Sequence, residues 1–178
     1  MKPWKTLSHK TILDHSKWLK VEDHSIELPD GKIIDKWCWI VSPDYVNVVV
    51  QDESENFICF RQTKYAVDGI SLAPVGGYLE PREDSLSCAK RELREELGYE
   101  AHEWIHLGTF PCDGNHGNGN ANLYLARGAF QVGEIIVDDL EEQEIVTLTR
   151  SELMYALLNG EFKVLSWSTA VALALFHV

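Results

Sequence analysis

The sequence contains no long apolar run and no leader-like start. A membrane-spanning helix needs about 18 consecutive apolar residues, and the near-apolar stretch from Ala170 to Phe176 is much shorter than that. The opening residues Met1–Lys5 are not followed by the apolar segment of a signal peptide. We therefore expect a cytoplasmic protein with no membrane partner.

Basic residues are also scarce. The chain has 16 Lys and Arg against 28 Asp and Glu, which gives a formal net charge of −12, and no dense Lys/Arg cluster occurs. Because a nucleic-acid-binding surface needs such a cluster to contact phosphates, we expect no nucleic-acid partner. The four cysteines are scattered without a C-x-x-C pair, which argues against a cysteine-based zinc site.

The length of 178 residues suits one well-buried core. Residues 17–28 and 32–41 alternate partly around the turn Pro29-Asp30-Gly31 and predict an N-terminal antiparallel hairpin. A second hairpin is predicted from residues 46–50 and 57–60, and further strands at 104–110, 122–126 and 144–148. Helices are predicted at 84–97, at 151–158 with Ser151 as its cap, and from a cap at Ser166 or Ser168 to the C-terminus. This order indicates an α+β fold with a mixed sheet and helices against it.

The helix predicted at 84–97 carries an unusual charge pattern. At about 100° per residue, its core-facing stripe consists of Leu86, Ala89, Leu93 and Leu97. Glu92, Glu95 and Glu96 fall together on the neighbouring flank, where like charges repel and the C-terminal end of the helix dipole disfavours anions. Such a locally unfavourable pattern is typical of a functional site.

Two interpretations of this acidic flank remain open from the helix alone. Carboxylate oxygens suit Mg²⁺, with Mn²⁺ as the alternative, and a bound cation would remove the repulsion. The flank could equally be a solvated acidic surface with Arg91 and Arg94 as salt-bridge partners. The preceding loop favours a site, because Gly76 and Gly77 let backbone approach a ligand closely.

The pattern Gly77-x5-Glu83-x7-Arg91-Glu92-Leu93-x-Glu95-Glu96-x-Gly98 resembles a complete Nudix box. The resemblance implies the Nudix α/β/α sandwich with a mixed sheet, and a metal-dependent hydrolase acting on a nucleoside diphosphate derivative. It implies the metal ligands Glu92, Glu95 and Glu96 together with a backbone carbonyl near Gly76, with catalytic roles for Glu92 and Glu95. Gly77, Glu83, Arg91 and Gly98 would then be structural residues of the motif.

The chain also resembles, more loosely, the ADP-ribose pyrophosphatase branch of that family. The similarity rests on the hairpin at 17–41, on Arg61-Gln62-x-Lys64-Tyr65 and on the late acidic segment 141–145. It implies a Mg²⁺-dependent homodimer that converts ADP-ribose or an ADP-sugar to AMP and a sugar phosphate. It further implies residues 1–41 as a dimerisation extension of a Nudix domain at 42–178, and Glu141 as the general base, with Glu142 and Glu144 behind it.

Substrate contacts are less strongly indicated. Arg61 and Lys64 follow a strand and could bind phosphates, although surface salt bridges would explain them as well. Trp39 could stack on a base, and core or dimer packing is its alternative role. His116, in the Gly/Asn-rich segment 113–120, is a weaker candidate. Other Nudix substrates remain open, namely a nucleoside triphosphate, a dinucleoside polyphosphate or an NAD-like dinucleotide, as does a non-catalytic nucleotide sensor.

Overall fold

A computed structural model describes residues 1–135 and 142–178. The strands are β1 (Lys5–His15), β2 (Leu19–Glu27), β3 (Ile33–Val41), β4 (Tyr45–Asp52), β5 (Phe57–Gln62), β6 (Ser71–Ala73), β7 (Val75–Tyr78), β8 (Tyr99–Asp113), β9 (Gly117–Gln131) and β10 (Gln143–Leu148). The helices are α1 (Ser85–Leu97), α2 (Arg150–Leu158) and α3 (Leu165–Ala174). The α+β class predicted from the sequence is confirmed.

The chain forms two compact units. The first contains Met1–Asp44 and Phe110–Ala121, and its β1, β2 and β3 form an antiparallel sheet. The predicted N-terminal hairpin is confirmed as β2 and β3, whose turn uses the left-handed conformation of Gly31 at φ 85°. The sequence did not predict β1, since its residues are largely polar and all of them are exposed.

The second unit contains Tyr45–Thr109 and Asn122–Val178, and its sheet has the strand order β9-β4-β5-β10. The first half of β4 pairs with β7 and its second half with β5, whose far end pairs with β6. Helices α1 and α3 both pack against β4. The largest fully buried side chains are those of Phe57, Leu93, Leu97, Leu123, Leu125, Leu153, Val46, Val48, Val50, Val75 and Val171.

Helix α1 has the bounds that its end signals predict. The Asp84 carboxylate accepts hydrogen bonds from the backbone N–H groups of Leu86 and Ser87, which caps the first turn. Gly98 ends the helix in the left-handed conformation at φ 68°. The buried face includes Cys88, whereas Leu86, predicted to face the core, is only half-buried.

Three local predictions were wrong. Helix α2 is capped by Thr149 and not by Ser151, because Thr149 and Glu152 form a reciprocal capping box. Helix α3 follows Val164 without a side-chain cap, and Ser168 lies inside it, donating a hydrogen bond to the carbonyl of Phe162. Residues 75–78, predicted as part of a loop, form β7 because β4 pairs with them. Among the described helices, none is long and apolar enough to span a membrane.

Candidate active site

Arg91 is the centre of a charged cluster on α1. Its Nε and Nη2 atoms donate to the two carboxylate oxygens of Glu83 at 2.9 and 3.0 Å, a bidentate ion pair between the helix and the preceding loop. Its Nη1 atom donates to Glu92 at 2.8 Å and to Glu95 at 2.9 Å. Its Nη2 atom also donates to the carbonyl of Tyr78 at the end of β7, at 3.2 Å. One guanidinium thus holds three carboxylates beside the end of a strand.

The two glycines of β7 bring backbone against the same carboxylates. The N–H of Gly76 donates to Oε2 of Glu96 at 3.2 Å. A Cβ atom added to Gly77 would lie on the Glu92 carboxylate, far inside contact distance. Glycine at this position therefore leaves the space in which Glu92 sits.

The cluster shifts the pKa values of Glu83 and Glu92 in opposite directions. The hydrogen bonds from Arg91 lower the pKa of Glu83 to about 2, so that this side chain stays ionised. Burial raises the pKa of Glu92, whose side chain is 12% exposed, and the ion pair with Arg91 opposes that rise only in part. The same carboxylates raise the pKa of Arg91, which keeps the guanidinium charged. A further positive charge beside Glu92 would therefore favour its ionised form.

The carboxylates of Glu92, Glu95 and Glu96 are of the type that binds a hard divalent cation, but in the described structure their oxygens do not all lie within 4.8 Å of one another. Glu92, Glu95 and Glu96 supply carboxylate oxygens from one flank of α1, the ligand type that Mg²⁺ and Mn²⁺ prefer. Of the two arginines that could neutralise the flank, Arg91 does so, whereas Arg94 pairs with Glu100 at 2.8 Å. Because Gly77 has no side chain, the Glu92 carboxylate can lie directly beside β7.

The candidate phosphate contacts lie on the edge of the second unit. Arg61 on β5 pairs with Glu144 on β10 at 3.2 Å, and both side chains are about half exposed or more. These two residues and Glu142 line a pocket of about 460 Å³. Lys64 follows β5, and its carbonyl accepts a hydrogen bond from Val67. Glu141, the predicted base, lies outside the described residues.

Trp39 lies in the first unit, on β3. Its ring stacks on His24 at a centroid distance of 5.3 Å and an interplanar angle of 19°. Trp39 and Trp37 line a pocket of about 320 Å³ with Trp4 and Lys5, and Trp37 stacks on His116 at 5.6 Å. The predicted base-stacking residue is therefore one member of an aromatic group. Trp37 lies two residues before Trp39 on β3 and therefore shares its face, whereas nothing in the sequence signalled Trp4.

The fold has a close counterpart among solved structures. A crystal structure of an ADP compounds hydrolase superposes with a TM-score of 0.80, covering 98% of this chain and 93% of that one at 19% sequence identity. At this identity the likeness shows the fold, a mixed sheet flanked by helices.

Family models then identify the chain. The NUDIX domain model matches residues 41–167, and the model of the nucleoside diphosphate sugar hydrolase N-terminal domain matches residues 4–40. The chain therefore belongs to the Nudix family and is a Nudix hydrolase, as its box predicted. The predicted α/β/α fold is confirmed with it. The domain boundary at 41/42 and the individual site residues stay predictions.

Two curated relatives are similar over most of the chain. A CMP-5′-(N-acetyl-N-hydroxy-3-aminopropyl)phosphonate hydrolase from Streptomyces rubellomurinus is 28% identical over 162 residues, which are 91% of this chain and 77% of that protein. A methanol dehydrogenase activator from Bacillus methanolicus is 26% identical over 153 residues, 86% of this chain and 80% of that protein.

Proposed function

We propose that this Nudix hydrolase cleaves the diphosphate linkage of ADP-ribose or an ADP-sugar, giving AMP and a sugar phosphate, and that it requires Mg²⁺. The observation that carries the proposal is the cluster in which Arg91 holds Glu83, Glu92 and Glu95 together, 2.8 to 3.0 Å from each carboxylate. The match to a nucleoside diphosphate sugar hydrolase domain supports the substrate class. The similar solved structure is that of an ADP compounds hydrolase, which supports adenine as the base of the nucleotide.

Each residue of the cluster has a proposed task. Glu92, Glu95, Glu96 and the carbonyl of Gly76 would hold Mg²⁺, with Mn²⁺ as a substitute. When bound, such an ion would neutralise the negative charge of the diphosphate. Arg91 keeps Glu92 and Glu95 oriented, and Glu83 fixes Arg91 in turn.

The substrate and the attacking water would be handled by residues away from the helix. Arg61 and Lys64 are the proposed phosphate contacts, since the exposed Arg61 can exchange Glu144 for a phosphate oxygen. Trp39 is the proposed contact to the adenine ring, supported by its place beside an aromatic pocket in the first unit. Glu141 is the proposed acceptor of the proton from water.

A substrate panel tests the proposal. Full-length protein with Mg²⁺ would be assayed against ADP-ribose, ADP-glucose, UDP-glucose, a CMP-linked phosphonate, NAD⁺ and ATP, with nucleotide products separated by chromatography. We expect AMP from the two ADP compounds at the highest kcat/KM and no product in EDTA. Binding of ADP-ribose without AMP release would instead indicate a sensor and overturn the proposal.

A matched pair of variants links the activity to the cluster. Glu96→Gln should lower kcat by about a hundredfold or more, because a ligand that holds the ion is lost, while the fold is retained. Glu100→Gln, which removes only the surface partner of Arg94, should leave kcat unchanged. Near-normal turnover of Glu96→Gln at limiting Mg²⁺ would show that the ligand assignment is wrong.

One observation favours a second substrate class. The Streptomyces relative is named for a CMP-linked phosphonate, and it covers 91% of this chain. If the CMP-linked compound is turned over faster than the ADP compounds, the proposed reaction type is retained. The proposed nucleobase then changes from adenine to cytosine, and the proposed leaving group changes as well.

A further inference from the structure

Three chemistry-bearing side chains meet on the first unit, on the strand pair β1 and β2. The register places His9 opposite His24 and Thr11 opposite Glu22. Because residues two apart along a strand share a face, His9 and Glu22 lie on the same face as His24. None of the three belongs to the Nudix box.

Their ligand atoms are close enough for one ion. Oε2 of Glu22 lies 2.9 Å from Nε2 of His24 and 3.2 Å from Nδ1 of His9. One ligand atom from each residue lies within 4.8 Å of the others. Ligand atoms of a tetrahedral zinc site, with bonds of about 2.0–2.2 Å, are separated by roughly 3.3 Å.

Two of the three side chains are already held in place. Those of His24 and Glu22 are 12% and 14% exposed, whereas that of His9 is 62% exposed. Trp39 stacks on the imidazole of His24 and limits its rotation. Thr11 donates to the other oxygen of Glu22 at 3.4 Å. The exposed His9 on β1 can therefore close the site over a preformed pair on β2.

We propose that His9, Glu22 and His24 form a binding site for a zinc-like divalent cation, separate from the Mg²⁺ site of the Nudix box. Two imidazoles and one carboxylate are a ligand set that Zn²⁺ accepts, with a fourth position left for water or another ligand, whereas Mg²⁺ prefers oxygen ligands alone. The ion would cross-link β1, all of whose residues are exposed, to β2. This site does not depend on the proposed substrate.

Zinc binding to the full-length chain tests the proposal. Metal-free protein would be titrated with Zn²⁺ by calorimetry in excess Mg²⁺, which occupies the box carboxylates, and Tm would be measured with and without Zn²⁺. We expect one Zn²⁺ per chain and a rise in Tm. His9→Gln should weaken this binding about tenfold or more, as expected when a coordinating group is lost.

Two controls make the result specific. His15→Gln removes another exposed histidine of β1 that lies outside the cluster, and it should bind Zn²⁺ as the wild type does. Glu96→Gln should also retain the zinc-dependent rise in Tm. Because His9 is exposed, His9→Gln should fold normally, and an unchanged Tm of the metal-free variant verifies this.

Two outcomes would overturn the proposal. Equal Zn²⁺ affinity of the wild type and of His9→Gln would show that the three side chains form only a hydrogen-bonded group. Loss of the zinc effect in Glu96→Gln, with retention in His9→Gln, would place the ion in the Nudix box.

Discussion

Arg91 offsets the repulsion between two of the three glutamates on one helix flank. Glu92 and Glu95 would repel each other on neighbouring turns, but the Nη1 atom of Arg91 lies between them at 2.8 and 2.9 Å. Glu92 is not fully compensated by Arg91, because burial raises its pKa. A bound cation beside this carboxylate would favour its ionised form.

Substitution of Gly77 by alanine, which adds one Cβ atom, tests this arrangement. In Gly77→Ala the new Cβ would occupy the place of the Glu92 carboxylate, which must move because it is the end of a flexible side chain. We expect kcat to fall about tenfold or more, as for other changes beside a metal site, with little loss of thermal stability. Gly133→Ala, whose Cβ meets nothing within 4 Å, is the control. Full activity of Gly77→Ala would mean that the position of Glu92 is not critical.

A second prediction concerns Glu141, the proposed general base. Glu141→Gln should reduce kcat about a hundredfold and leave KM and Mg²⁺ affinity nearly unchanged, because only proton transfer is lost. Steady-state kinetics across pH would measure it, with the exposed Glu134→Gln as the matched control. If Glu141→Gln turned over normally while Glu92→Gln lost the pH dependence of the rate, the base would lie on α1.

At the level of elements, α1 is fixed by local interactions at both ends and by one ion pair to the loop before it. Asp84 caps its start and Gly98 ends it. The bidentate contact between Glu83 and Arg91 joins the β7–α1 connection to the second turn of the helix. This ion pair therefore ties the acidic helix to the loop that precedes it.

The ion pair predicts a pH-dependent stability. The folded-state pKa of Glu83 is about 2, lowered from 4.5, so its stabilisation is complete above pH 4.5 and is lost as the pH falls toward 2. In EDTA at pH 7, Glu83→Gln should lower the free energy of unfolding by about 1.5–3 kcal/mol, the range for hydrogen bonds to charged groups. This deficit should shrink across that acidic window, as urea denaturation would show.

The neighbouring Glu80 offers the control for this experiment. Glu80 is exposed, and it contributes its backbone N–H to Glu83. Glu80→Gln should therefore follow the wild-type curve. A deficit of Glu83→Gln that stayed constant from pH 7 to pH 2 would show that the charge of Glu83 contributes nothing to stability.

At the level of the whole molecule, the first unit leaves large apolar side chains exposed. On β1 and its flanks, Trp4, Leu7, Ile12 and Leu13 are 48–56% exposed. Ile33 on β3 is 55% exposed. Although β1 is largely polar, its few large apolar side chains are exposed, which is typical of a surface that another chain covers.

We predict from this surface that the protein is a homodimer whose interface includes β1. Light scattering at micromolar concentration should give twice the mass of one chain, and Ile12→Glu should shift it toward the monomer by placing a charge in the contact. Leu158→Glu, which charges a 78% exposed leucine of α2, should leave the mass unchanged. A monomeric wild-type protein, or a dimer insensitive to Ile12→Glu, would contradict the prediction.

The sequence by itself determined the parts of this protein that local chemistry specifies. Helix α1, its acidic flank and its C-terminal end follow from residues three or four apart and from Gly98. The hairpin of β2 and β3 follows from alternation around the turn at Gly31. These features, with the Nudix box, were enough to predict the family and the fold.

Only the tertiary structure decided which distant side chains meet. Strand β1 is held by backbone pairing with β2, so its polar, exposed sequence carries no pattern that would predict it. Strand β7 exists because β4 lies beside it, although its glycines favour a loop. His9, Glu22 and His24 became neighbours through the register of β1 on β2, which depends on the connection at Ser16–Trp18 and on a β-bulge between Thr11 and Leu13.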